Sequence, residues 1–187
     1  MTVNWLDVLI MLILIGGMFL GFWQGAVRQL LTLGALYAAI VISSQVYPFL
    51  AQKILEVSPR MVTTVADVVA FFALMFILGL VLTFLLIDLL RQITRRPVGM
   101  LGRVLGGTVG ILIAAIFISV SLAAIAFMTL TIWPQSSEAF RQEIISARLR
   151  SNLVLAFRQI IPLILQAIRI WGGNLPPLFS VDPGGPS

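Results

Sequence analysis

Four stretches of this chain are too long and too free of charge to be hidden inside a water-soluble fold. They run from about Leu6 to Trp23, Leu30 to Tyr47, Val68 to Leu90 and Val104 to Trp133. Each supplies the roughly 18–20 mostly apolar residues that cross a ~30 Å hydrocarbon core as a helix. The last is long enough to tilt or to project beyond the membrane. Composition leads to the same place. Sixty per cent of the 187 residues are apolar, 10% are charged, and the mean hydropathy is +1.09. An ordinary globular domain is roughly 45–50% apolar, and one of this size has too little interior to bury the excess. The expected architecture is therefore all-α: a polytopic membrane protein with four transmembrane helices plus a C-terminal amphipathic helix. The first stretch lacks the basic leader and small-residue cleavage site of a secretory signal, so it reads as a retained span.

Between the spans the expected connections are a tight turn over Gln24–Gln29, a loop over Pro48–Ala66 and a link over Arg91–Arg103. Pro97, Gly99 and Gly102 punctuate the third. After Pro134 the pattern changes. Ser136 or Ser137 can cap a helix with Glu138 in its first turn. Phe140, Ile144, Ala147, Val154, Phe157, Ile161, Ile164, Ile168 and Trp171 then recur at helical spacing. Arg141, Gln142, Arg148, Gln159, Gln166 and Arg169 fall largely between them, giving a two-faced helix bent near Pro162. Arg158 and Pro162 argue against a fifth span, because an Arg at the bilayer centre costs at least ~2.5 kcal/mol. The expected division is a four-span domain over 1–133, an extramembrane amphipathic tail over 134–173 and a disordered end over 174–187. The first and third links carry Arg28, Arg91, Arg95, Arg96 and Arg103 against Lys53 and Arg60 in the second. The positive-inside bias then places both termini outside the cytoplasm.

The formal charge of +5 does not read as a nucleic-acid footprint, since the basic residues are few and concentrated beside apolar blocks. Arg91, Arg95 and Arg96 are the pattern of a loop facing anionic lipid. With no Cys and no His, thiol and imidazole chemistry and Cys/His metal sites are excluded. The chain carries no phosphate-binding glycine loop, no GxSxG and no HExxH. Ser43, Ser44, Ser119 and Ser121 stand in spans without a Lys or His to activate them, and such serines usually bond back to their own helix. No catalytic residue, cofactor or metal is expected, and the chain does not read as an enzyme. Asp67 and Asp88 lie ~31 Å apart along a straight helix and suit opposite interfaces. Asp7 opens the first span, and Asp88 can pair with Arg91.

The glycines are more informative. Gly17, Gly21 and Gly25 form one series at steps of four, and Gly102, Gly106 and Gly110 form another. Residues four apart share a helix face, so each series is a groove where a second helix can approach closely. The expectation is that the first and fourth spans pack there, or that one groove serves self-association.

Asn4-Trp5-Leu6-Asp7 before an apolar span, then Gly21-Phe22-x-x-Gly25-x-x-Arg28, resembles the opening of the colicin V production protein (CvpA) family. Gly102-Arg103-Val104-Leu105-Gly106-x-x-x-Gly110 is similar to the segment that opens that family's last span. The resemblance covers about the first 130 residues and makes Asp7, Arg28 and Arg103 the family-motif charges. It implies an accessory protein of the bacterial inner membrane linked to colicin V production or export, or to envelope homeostasis. Such a protein would act by assembly with itself or with a membrane partner. The alternative is an oligomeric channel or transporter subunit, with Gln24, Gln45 and the span serines as its polar lining.

Overall fold

The computed structural model describes residues 4–59, 61–90, 99–130 and 135–157, with isolated positions as far as 166. Among them there is no strand. Six helices follow in order: α1 (Trp5–Gln24), α2 (Ala26–Val57), α3 (Thr63–Leu89), α4 (Met100–Met128), α5 (Gln135–Arg150) and α6 (Asn152–Phe157). The first four are long and apolar enough to cross a membrane.

The bundle is two antiparallel pairs. α1 packs along α4 and α2 along α3, while α2 also crosses α4 and joins the pairs. Small residues do most of the inward packing. Ala35, Ala39, Ala66 and Ala70 are fully buried, whereas Phe19, Phe76 and Phe84 are more than 60% exposed. In water this distribution would be inverted; facing lipid, large side chains gain nothing by turning inward, and small ones let helices close up. One core joins α2, α3 and α4 around Ile40, Tyr47, Phe71, Met75 and Val120. Tyr47 meets Phe71 edge-on, with ring centroids 6.4 Å apart. The second core joins α1 and α4 to the later helices through Leu6, Ile10, Ile118, Leu122, Ala147, Val154 and Phe157.

Three connections differ from expectation. The first is a single residue, Gly25, whose φ of 82° ends α1 and starts α2. Only glycine takes that conformation without strain, so the reversal needs no longer loop. The second difference is at Pro48, which stands inside α2 instead of opening a loop. Proline removes one N–H from the helix, but Tyr47 and Ala51 on either side of it are buried against α3, and that packing carries the helix on to Val57. At 32 residues α2 is ~48 Å long, so its last turns project past the hydrocarbon. There Lys53 and Glu56 pair at 2.8 Å, both more than half exposed. Third, α4 begins at Met100 and takes Gly102 and Arg103 into its first turn.

The later helices also differ. α5 already starts at Gln135, so Ser136 and Ser137 fall inside its first turn instead of capping it. The break comes at Ser151, between α5 and α6, well before Pro162. Ser151 accepts the Val154 N–H at 3.1 Å and so caps α6. The apolar positions Ile161, Ile164, Ile168 and Trp171, the segment 174–187, and Arg60, Arg91, Arg95, Arg96 and Arg158 lie outside the described residues.

Candidate functional site

Two faces of glycine meet where α1 crosses α4. A Cβ added at Gly17 would lie 2.7 Å from both the Ala114 Cβ and the Gly110 carbonyl oxygen. One at Gly106 would lie 2.7 Å from the Gly25 carbonyl carbon, and one at Gly110 would lie 3.0 Å from the Gly21 Cα. Gly21 in turn faces Gly106 and Gly110. The two backbones are thus in direct contact, and no flexible side chain stands between them to yield. Gly102 lies at the start of α4, half-buried. Gly107 and Ala114 belong to this face too. Ala114 could have been found by extending the four-residue step through small residues; Gly107 lies off that step and could not.

The opposite side of the crossing is open. α1 and α2 diverge from Gly25, and a cavity of about 540 Å³ lies between the two helix pairs. Its walls come from all four spans, including Leu12, Ile13, Leu36, Phe76 and Phe117, and Gln24, Gln29, Thr32 and Thr83 are its polar groups. The Gln29 side-chain amide, 5% exposed, donates to the Gln24 side chain at 3.4 Å. Gln45 is exposed on the outside of α2 and does not reach this cavity. Ser44, Ser119 and Ser121 bond back to carbonyls of their own helices at 2.7–2.8 Å.

At the far end of the bundle, polar groups fasten the later helices to the start of α1. Asn4 caps α1 by accepting the Leu6 N–H at 3.1 Å, and its amide donates to the Ala147 carbonyl. The Asp7 carboxylate accepts the Ser151 hydroxyl and, at 3.4 Å, the Leu153 N–H. Asp7 is therefore held by the first turn of α6, not left as a bare interfacial anchor. Two arginines assigned to the polar face of the tail turn inward instead. Arg141 reaches the Thr129 carbonyl at 2.7 Å and Glu138 at 2.6 Å, while Arg148, 1% exposed, reaches the Thr129 hydroxyl at 3.4 Å. Thr129 ends α4, and cations favour the negative end of a helix dipole. The hydrogen bond to Glu138 raises the Arg141 guanidinium above its usual pKa, opposed by partial desolvation and aided by the Glu138 charge.

Arg28 and Arg103, by contrast, are exposed near the Gly25 end. The three family-motif charges are thus split between the two ends of the bundle and form no common site. Among the described residues no cluster of acidic groups could hold a metal.

Four apolar helices in two antiparallel pairs, with two further helices locked onto one end, define a polytopic all-α membrane protein. No curated protein and no solved structure matches the chain. The family model of the colicin V production protein does, over residues 6–155, and the chain belongs to that family. The match continues well past residue 130, so Asp7 and Ser151 both fall inside it. This is a membrane accessory family associated with toxin production.

Proposed function

We propose that the chain is an accessory protein of the bacterial cytoplasmic membrane, supporting toxin production or export, or envelope homeostasis, by assembling with itself or with a membrane partner. The observation that carries this reading is the platform made by α5 and α6. It is no free arm: Asn4, Asp7 and Thr129 tie it to the ends of α1 and α4. Outside the spans it still presents Phe140, Leu149 and Leu155 at 59%, 44% and 50% exposure. Apolar side chains held rigidly in the aqueous or interfacial zone favour docking over solvation. The glycine faces do not serve this purpose, because α1 and α4 occupy each other's.

The five arginines of the first and third links, against Lys53 and Arg60 in the second, support a cytoplasmic Gly25 end and an external platform by the positive-inside bias of short loops. The chain contains no cysteine, so single replacements report cleanly. Gln142→Cys in α5 should react in intact cells with a membrane-impermeant maleimide, and Leu101→Cys only after lysis. Leu149→Cys should crosslink to a second copy or to an envelope protein in the native membrane. A chain recovered alone and monomeric after such crosslinking contradicts the reading.

A further inference from the structure

The cavity between the helix pairs plays no part in holding the fold together. α1 and α3 form no packed seam although both line the cavity, so a component of the bilayer has a route in between them. Its walls are apolar over most of their length, and Gln24 and Gln29 lie at the Gly25 end. Arg28 stands one turn before Thr32 and two before Leu36, both wall residues, so it continues their helix face to the mouth of the cavity. It is exposed, as is Arg103 at the start of α4. Among the described residues, Asp88 is the carboxylate of this end.

We propose that the cavity binds one anionic diacyl phospholipid drawn from the surrounding bilayer, with an acyl chain between the helix pairs and the headgroup phosphate at Arg28. The apolar walls match a hydrocarbon chain. The cationic mouth matches a phosphate, which an arginine fork contacts with two parallel hydrogen bonds. Between them, the Gln24 amide is placed to donate to an ester carbonyl. The slot holds about 540 Å³ and is lined by all four spans. A single flexible chain enters it readily. This site is independent of the assembly reading, and either can fail alone.

The test uses the full chain in phosphatidylethanolamine vesicles doped with a phosphatidylglycerol that carries a diazirine in one acyl chain. Photolabel should concentrate on Leu36, Ile113 and Phe117, which line the cavity, over the outward-facing Phe19 and Phe84. The same diazirine on a phosphatidylethanolamine headgroup should label these positions about fivefold less, the ratio expected from ~1 kcal/mol for one basic group near the surface. Gly16 lines the cavity, and a Cβ added there would meet nothing within 4 Å, so Gly16→Leu should fill the slot and abolish its labelling. Arg28→Gln lies on the surface and should keep the labelled positions while erasing the headgroup preference. Label spread evenly over outward residues, equal labelling by both headgroups, or indifference to Gly16→Leu would each overturn the proposal. So would crosslinked dimers of a Gly16→Cys variant, which would make a second copy the occupant.

Discussion

The two helix pairs solve the same packing problem in different ways. α1 meets α4 backbone to backbone through Gly17, Gly21, Gly106 and Gly110. α2 meets α3 through side chains: Ala39 and Ala70 set the spacing, and Tyr47, Phe71 and Met75 fill it. In lipid no hydrophobic force favours either contact, since the solvent is as apolar as the interior. What remains is packing, and its tolerance differs. A seam of backbone cannot give way to an added atom, whereas a seam of side chains can repack.

That contrast predicts unequal responses to substitution. Gly106→Leu should have the largest effect, because its side chain must displace the backbone around Gly21 and Gly25; the loss should exceed the ~1–3 kcal/mol usual for overpacking. Folded yield and unfolding in mixed detergent measure it. Phe71→Ala opens the α2–α3 core and should cost about 2 kcal/mol, below the value for a soluble core, because only the packing contribution is forfeited. The protein should stay folded, and equal losses for these two variants would erase the distinction between the pairs. Ser151→Ala removes the α6 cap and the donor to Asp7, and should cost about 1 kcal/mol. Its sharper readout is local: limited proteolysis should cut between α5 and α6 sooner while α1–α4 stay protected. The smallest effect is at Gly79 in α3, where an added Cβ meets only the Ala39 Cβ at 3.8 Å. Gly79→Ala should be neutral or stabilising by about 0.5 kcal/mol, since alanine loses less backbone entropy in a helix. A loss there as large as at Gly106 would mean that every small residue in the bundle is equally constrained.

How much of this the amino-acid pattern discloses depends on how local its cause is. The spans are legible because the bilayer imposes a length and forbids charge along each one. The glycine faces are legible because a step of four is a property of one helix. Their pairing with each other was one of two expectations, and the choice depends on the crossing of α1 and α4. Pro48 inside α2 was not legible, since the packing that carries the helix through it comes from α3. Ser151 and Asp7 are 144 residues apart, so neither marks the other in sequence. The inward turns of Arg141 and Arg148 have the same origin: charge spacing assigns them to a wet face, but Thr129 at the end of α4 offers its carbonyl to the first and its hydroxyl to the second. The cavity arises from the divergence of α1 and α2 after one glycine, a geometry no composition reports.

The fold depends on α1 and α4 lying against each other within one molecule. Phe22 and Gly107 test it directly, because a Cβ at Gly107 would sit 3.7 Å from the Phe22 Cβ, within the span a disulfide bridges. In a Phe22→Cys, Gly107→Cys double variant, oxidation in the native membrane should join the two positions within a single chain. Cleavage in the 91–98 link should then leave both halves together until a reductant is added. Disulfides that form only between differently tagged copies, or none under oxidation that links an exposed control pair, would contradict it.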